Sequence, residues 1–216
     1  MPANLVGRLS LAALAFAFVP AAAPAADAQA QPRWQVEASL DATGPNSYSG
    51  LVADGERPFT IKQREAVRYS VGASRLARLG PRASLRLGLS LSNKGFTERT
   101  EAVDGTTDVH VDLLYLGAPI ALGYNQVNPR KGLLPFAEAG LVPELLVRDD
   151  ESAHFDPKLT DVGISWLLGF GAKYNLGDGR AVTLGPEIRF AARGYSRTGP
   201  GEFRPQTVGL KLGIQF

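Results

Sequence analysis

Large apolar residues alternate with polar or small ones along most of this chain. The last stretch shows it best: Val208, Leu210, Leu212, Ile214 and Phe216 stand at even positions, with Thr207, Gly209, Lys211, Gly213 and Gln215 between them. Side chains of a strand point to opposite faces in turn, so this period sets a greasy face against a polar one. A helix would scatter both classes around its surface. The same reading predicts strands over 33–41, 65–77, 82–94, 108–124, 133–147, 161–175, 181–194 and 206–216. In 108–124 the greasy face is read as Val109, Val111, Leu113 and Tyr115, then Ile120, Leu122 and Tyr124. That change of parity falls at Pro119 and predicts a β-bulge there. Pro186 also lies inside a predicted strand, where it removes a ladder donor.

Connections alternate in length. Segments 78–81, 125–132 and 176–180 are short and carry turn residues, whereas 42–64, 95–107, 148–160 and 195–205 are long and polar. Eight strands of nine or more residues, joined by short turns at one end and long loops at the other, describe a transmembrane barrel. The expected fold is therefore all-β: an eight-stranded antiparallel up-and-down transmembrane β-barrel with a polar lumen. Short turns and both termini are expected on the periplasmic side.

A soluble ligand-binding barrel has the same strand count but turns its apolar face inward. Three features favour the membrane. Ionised groups of both signs sit on the polar face, and the candidate lumen charge network is Glu37, Arg68, Arg86, Asp112, Glu138, Glu144, Lys173, Glu187, Arg189, Arg193 and Lys211. Aromatic residues fall near strand ends (Trp34, Tyr69, Tyr115, Tyr124, Phe136, Tyr174, Tyr195 and Phe216), as interfacial girdles require. Finally, Val208, Leu210, Leu212, Ile214 and Phe216 form a candidate assembly signal for the barrel-assembly machinery.

Composition narrows the picture. Without cysteine there is no disulfide scaffold, no Cys-ligated metal and no Cys-anchored lipid. Twenty-three basic against 21 acidic residues give +2 and no general pull toward nucleic acid. A mean hydropathy of −0.05 excludes several apolar helical spans, yet it suits strands that are half polar. Only residues 9–19 form a long apolar run; Arg8 precedes it, and Ala26-Asp27-Ala28 fits a cleavage site. This predicts a signal peptide over 1–28, cut after Ala28 or Ala30, and a barrel domain over 29–216 exported to the bacterial outer membrane.

Three segments carry a resemblance: Leu89-Ser-Leu-Ser-Asn-Lys-Gly-Phe96, Tyr115-Leu-Gly-Ala-Pro-Ile-Ala-Leu122 and Pro135-Phe-Ala-Glu-Ala-Gly140. Their order and spacing resemble the PorT family of outer-membrane β-barrels, with Phe136 where tyrosine is usual. The resemblance implies a barrel; an association with secretion follows by analogy alone.

Candidate chemistry is sparse. His110 and Asp112 share one strand face, read as a lumen hydrogen-bond pair or as part of a hydrolase or lipid-modifying site. Asp149, Asp150, Glu151, His154 and Asp156 make an acidic loop that suits a hard cation only in composition. Arg189 and Arg193 with Glu187 read as a plug or a pore constriction. The sequence thus points to a non-enzymatic structural or interaction barrel without a cofactor. Its expected partners are outer-membrane lipid and lipopolysaccharide, the barrel-assembly machinery, and secretion or envelope proteins. Alternatives are a narrow passive channel and an outer-membrane enzyme.

Overall fold

A computed structural model of the chain describes residues 33–44, 60–64, 66–80, 82–102, 105–125, 132–150, 162–177, 179–192 and 206–216. They form β1 (Arg33–Gly44), β2 (Thr60–Arg64), β3 (Ala66–Arg78), β4 (Ala83–Asn93), β5 (Phe96–Ala102), β6 (Gly105–Gly117), β7 (Ile120–Asn125), β8 (Gly132–Asp150), β9 (Val162–Gly177), β10 (Arg180–Ala191) and β11 (Gln206–Gln215). Three pairs of segments, β2 with β3, β4 with β5 and β6 with β7, each continue one another. The eleven segments therefore make eight staves.

Every stave pairs antiparallel with its sequence neighbours, and β1 pairs with β11. The ring is thus closed, as lipid demands of any sheet that spans it. Backbone bonds between Trp34 and Phe216, at 2.9 and 3.0 Å, seal the seam at one end. Paired residues can be followed once round through Arg33, Leu76, Arg86, Ala121, Gly140, Leu167, Arg189, Thr207 and Thr43. The path returns to β1 ten residues beyond its start. Such a stagger tilts the strands by roughly 40° and leaves an interior that side chains fill.

Parity decides which way each side chain faces. On β1 the odd residues Gln35, Glu37, Ser39 and Asp41 are buried, while Trp34, Val36 and Leu40 are exposed. On β11 Thr207, Lys211 and Gln215 are buried; Val208, Leu210, Leu212 and Ile214 are exposed. The outer surface is a continuous apolar belt that also includes Val71, Leu122, Ile164, Leu168, Phe170 and Leu184. A belt this large is far beyond what a monomer tolerates in water, so it faces hydrocarbon.

Three expectations need correction. Segment 95–107 is not a loop. β5 continues β4 and pairs with both β2 and β6, making a three-stranded ribbon. Among the described residues β6 pairs with β8 only from Asp112 inward, and the ribbon runs about 20 Å along its strands past that point. Its residues Thr97-Glu98-Arg99-Thr100-Glu101 show no apolar period, because a strand beyond the bilayer has no lipid to face. Loop 42–64 is shortened in the same way by β2.

Second, no bulge lies at Pro119. The register is unchanged across it on both sides, from Ser90↔Gly117 to Leu87↔Ile120 and from Gly117↔Glu144 to Ile120↔Leu141. Bonds from Gly88 N to Pro119 O (3.1 Å) and from Ala118 N to Pro143 O (2.9 Å) carry the ladder past. The irregularity falls between Leu114 and Tyr115, where β8 carries Val147 as an extra residue. Pro186 does interrupt one ladder: the pairing of β10 with β9 lapses between Leu184 and Glu187, while that with β11 continues.

Third, the parity of 108–124 never changes. Leu113 and Tyr115 are fully buried in the lumen, on the same parity as Gly117, Pro119 and Ala121. Tyr115 is therefore no girdle residue. Phe136 is half-buried on the inward parity of β8 and leaves the girdle too. Trp34, Tyr124, Tyr174 and Phe216 do ring the end that carries the short turns, here the turn end. Tyr69, Trp166 and Phe190 stand outward nearer the other, the ribbon end. Tyr195 lies outside the described residues, as does the predicted signal peptide.

Candidate functional site: the filled lumen

Five staves bring charge to the barrel axis because each places an ionised residue at an inward parity. Arg86 from β4 donates to Glu37 of β1 at 2.5 and 2.6 Å. It reaches Glu138 of β8 at 3.1 Å and Glu187 of β10 at 3.7 Å. Lys211 from β11 donates to Glu187 at 2.6 Å, pairs with Glu138, and lies 4.0 Å from Glu37. Arg189 closes the set with a 2.7 Å bond to Glu187. Gln215 donates to Gln35, which in turn donates to Glu37, both at 2.9 Å.

Three carboxylates thus meet three cations, all of them sequence candidates. Arg86, only 2% exposed, is the hub. Removing water from so many charges is costly, and only dense mutual pairing offsets it. Room for these long side chains comes from glycine. Gly171 and Gly185 face each other across β9 and β10, where a Cβ on either would lie 2.7 Å from the other's Cα. A Cβ on Gly169 would lie 2.8 Å from a Glu138 carboxylate oxygen.

Glu144 belongs to a second group nearer the ribbon end. It accepts from Lys94 at 2.5 Å and from Ser165 at 2.7 Å. The Lys94 ammonium also sits 5.3 Å from the centre of the Tyr115 ring, within cation–π range. Lys94 was absent from the sequence candidates, although its even parity matches Arg86, Ser90 and Ser92. It stands in the Lys-Gly box of the first resembling segment, and Tyr115 opens the second. Two of the three resembling segments therefore meet at one buried contact.

Between the two charged groups one wall is apolar. Ala121, Val142 and Leu167 pack together there, each at most 1% exposed. Across the barrel, Ser39 bonds Asp41 at 2.9 Å and Ser70 at 2.6 Å.

The remaining candidates lie elsewhere. Arg68 pairs with Asp112 at 3.0 Å where the ribbon leaves the barrel, and Asp112 is half exposed. The expected lumen pair of His110 and Asp112 does not form. His110 is exposed and shares a 3.0 Å hydrogen bond with Thr97. Both residues occupy even positions on β6, whereas the lumen takes the odd ones, Leu113 and Tyr115. Apolar lumen residues had made that face look lipid-exposed. Lys173 is half-buried near the turn end, apart from the cluster. Arg193 and the acidic residues from Glu151 to Asp156 fall outside the described residues. Among the described residues no group of three or more His, Asp or Glu is placed to hold a metal ion.

Comparison with known proteins places this geometry. No curated protein matches the chain. Its fold is similar to the outer membrane protein OprG of Pseudomonas aeruginosa: 14% identity, 87% of this chain and 97% of that one covered, TM-score 0.50. It is also similar to Neisserial surface protein A: 11% identity, 85% and 95% covered, TM-score 0.53. Identities this low speak for the fold alone. The family model described as "Outer membrane protein beta-barrel domain" matches residues 9–216, nearly the whole sequence. With the closed ring, apolar belt and charged lumen, that match assigns the chain to the outer-membrane β-barrel domain family.

Proposed function

We propose that this protein is a structural and interaction barrel of the outer membrane, whose rigid wall carries the β2–β5–β6 ribbon as a platform for envelope partners. The observation that carries the reading is the filled lumen. Arg86, Glu187, Arg189, Lys211, Val142 and Leu167, from five of the eight staves, are each at most 5% exposed. A passive channel would need these side chains to part, breaking ion pairs that a low-dielectric interior makes strong.

In this reading residues 1–28 direct export, and the alternating Val208–Phe216 strand serves barrel assembly. Lipopolysaccharide and envelope proteins then meet the ribbon, where Arg99 and Asp108 hold β5 to β6 through bonds of 2.7 and 2.6 Å. Kinship with PorT proteins remains part of the proposal; the shared boxes describe wall strands and a buried lysine contact, and they add no activity. Planar-bilayer recording tests the plug. Reconstituted wild-type barrel is expected to give no discrete conductance steps. Steady open channels in the wild type would overturn the platform reading in favour of a pore.

A further inference from the structure

Cations gather at the turn end of the barrel. Arg33 opens β1, Arg75 and Arg78 end β3, Arg82 precedes β4 and Lys173 lies near the end of β9. No described aspartate or glutamate lies on that rim; Glu37, Glu138 and Glu187 are enclosed deeper in the lumen cluster. At the ribbon end, by contrast, arginines have acidic partners: Arg68 with Asp112 and Arg99 with Asp108. Arg33 and Arg78 stand close enough to Lys173 to act on its ammonium as like charges. The turn-end rim therefore carries a positive potential that draws anions.

The position of the rim says which anions it meets. Trp34, Tyr124, Tyr174 and Phe216 point outward at the same end, 44–58% exposed. Aromatic side chains in a ring of this kind settle at headgroup depth. Arg75 is exposed on the outward parity of β3 and is the cross-strand partner of Trp34. An outward arginine at this depth lays its stem along the apolar belt and lifts its guanidinium to the phosphate level.

We propose that the turn-end rim binds anionic phospholipid headgroups of the leaflet it contacts, with Arg75 beside Trp34 as the lipid-facing contact and Arg82 among the rim charges that support it. The proposal goes beyond the platform reading and does not depend on it, since it concerns the opposite end of the barrel. Guanidinium suits the phosphodiester because its planar donors match phosphate oxygens.

The two tryptophans give a built-in test, Trp34 at the rim and Trp166 toward the ribbon end. Full-length barrel carrying Trp166→Phe is reconstituted in mixed vesicles containing either brominated phosphatidylglycerol or brominated phosphatidylcholine, and Trp34 quenching is compared. Phosphatidylglycerol is expected to be preferred roughly fivefold, the effect of about one cation near an anionic surface. The preference should vanish in Arg75→Gln/Arg82→Gln and fade in the unsubstituted rim at high salt. Protein carrying Trp34→Phe should show no preference at Trp166. Equal quenching of Trp34 by both lipids would overturn the proposal, as would a preference untouched by salt or one equally strong at Trp166. The salt series keeps the test decisive if the double variant fails to fold.

Discussion

Replacing Arg86 by methionine is expected to destabilise the barrel by about 3–5 kcal/mol, the usual cost of stripping one partner from a buried ionic cluster. Methionine preserves much of the stem volume, so the loss reports charge and not a cavity. Glu37 loses its shortest contact, and Glu138 and Glu187 are left with Lys211 and Arg189. Three carboxylates then share two cations in an interior with little water. Urea titration in lipid or detergent, followed by loss of the heat-modifiable folded band, measures the change. Adding Glu37→Gln to Arg86→Met should recover a large part of it, because the charge count balances again. A shift under about 1 kcal/mol in the single variant would mean that water screens the cluster, and the plug would be far weaker than drawn.

The second large effect belongs to the outer face. Leu168 is 43% exposed on β9, midway between the Trp166 and Phe170 that flank it outside. Leu168→Arg is expected to cost about 2–4 kcal/mol in a bilayer, the penalty for a cation near the midplane. Leu176, equally exposed at the turn end of the same strand, should accept arginine for about 0–1 kcal/mol. Refolding equilibria into lipid vesicles compare the two. Equal costs would show that β9 does not cross hydrocarbon at the depth inferred.

Much of this architecture was legible because lipid imposes a simple rule on one face. Parity alone located all eight staves; the predicted 133–147 lies inside β8, and 161–175 falls within β9 in all but its first residue. It failed where that rule has no hold. Along Phe96–Ala102 neither face meets lipid, so the ribbon carried no period and read as loop. Around Leu113 and Tyr115 the lumen wall is itself apolar; hydropathy cannot separate a side chain packed inside from one in hydrocarbon. That ambiguity produced the supposed bulge at Pro119, the misplaced girdle tyrosine and the lumen setting given to His110.

The candidate site divides along the same line. Glu37, Arg86, Glu138, Glu187, Arg189 and Lys211 share inward parities, and the stagger of the ring brings them to one level. Sequence supplies the parity but not the stagger. It therefore offered one network where the structure has a central cluster, the Lys94–Glu144 pair and the Arg68–Asp112 pair at the foot of the ribbon. Lys94 closes the predicted strand 82–94 at the even parity of Arg86, yet at a strand's last residue parity alone does not say whether the side chain turns inward.

The central claim is that the exposed apolar belt faces lipid and the charged face is enclosed. The absence of cysteine makes single-site labelling clean. Spin labels at Leu40, Val71, Leu168 and Leu212, one to a variant, sample four staves of the belt. In reconstituted vesicles all four should show high collision rates with oxygen, which concentrates in hydrocarbon, and low rates with a water-soluble nickel chelate. Labels open to the nickel reagent, or shielded from both, would contradict the account and turn the barrel inside out.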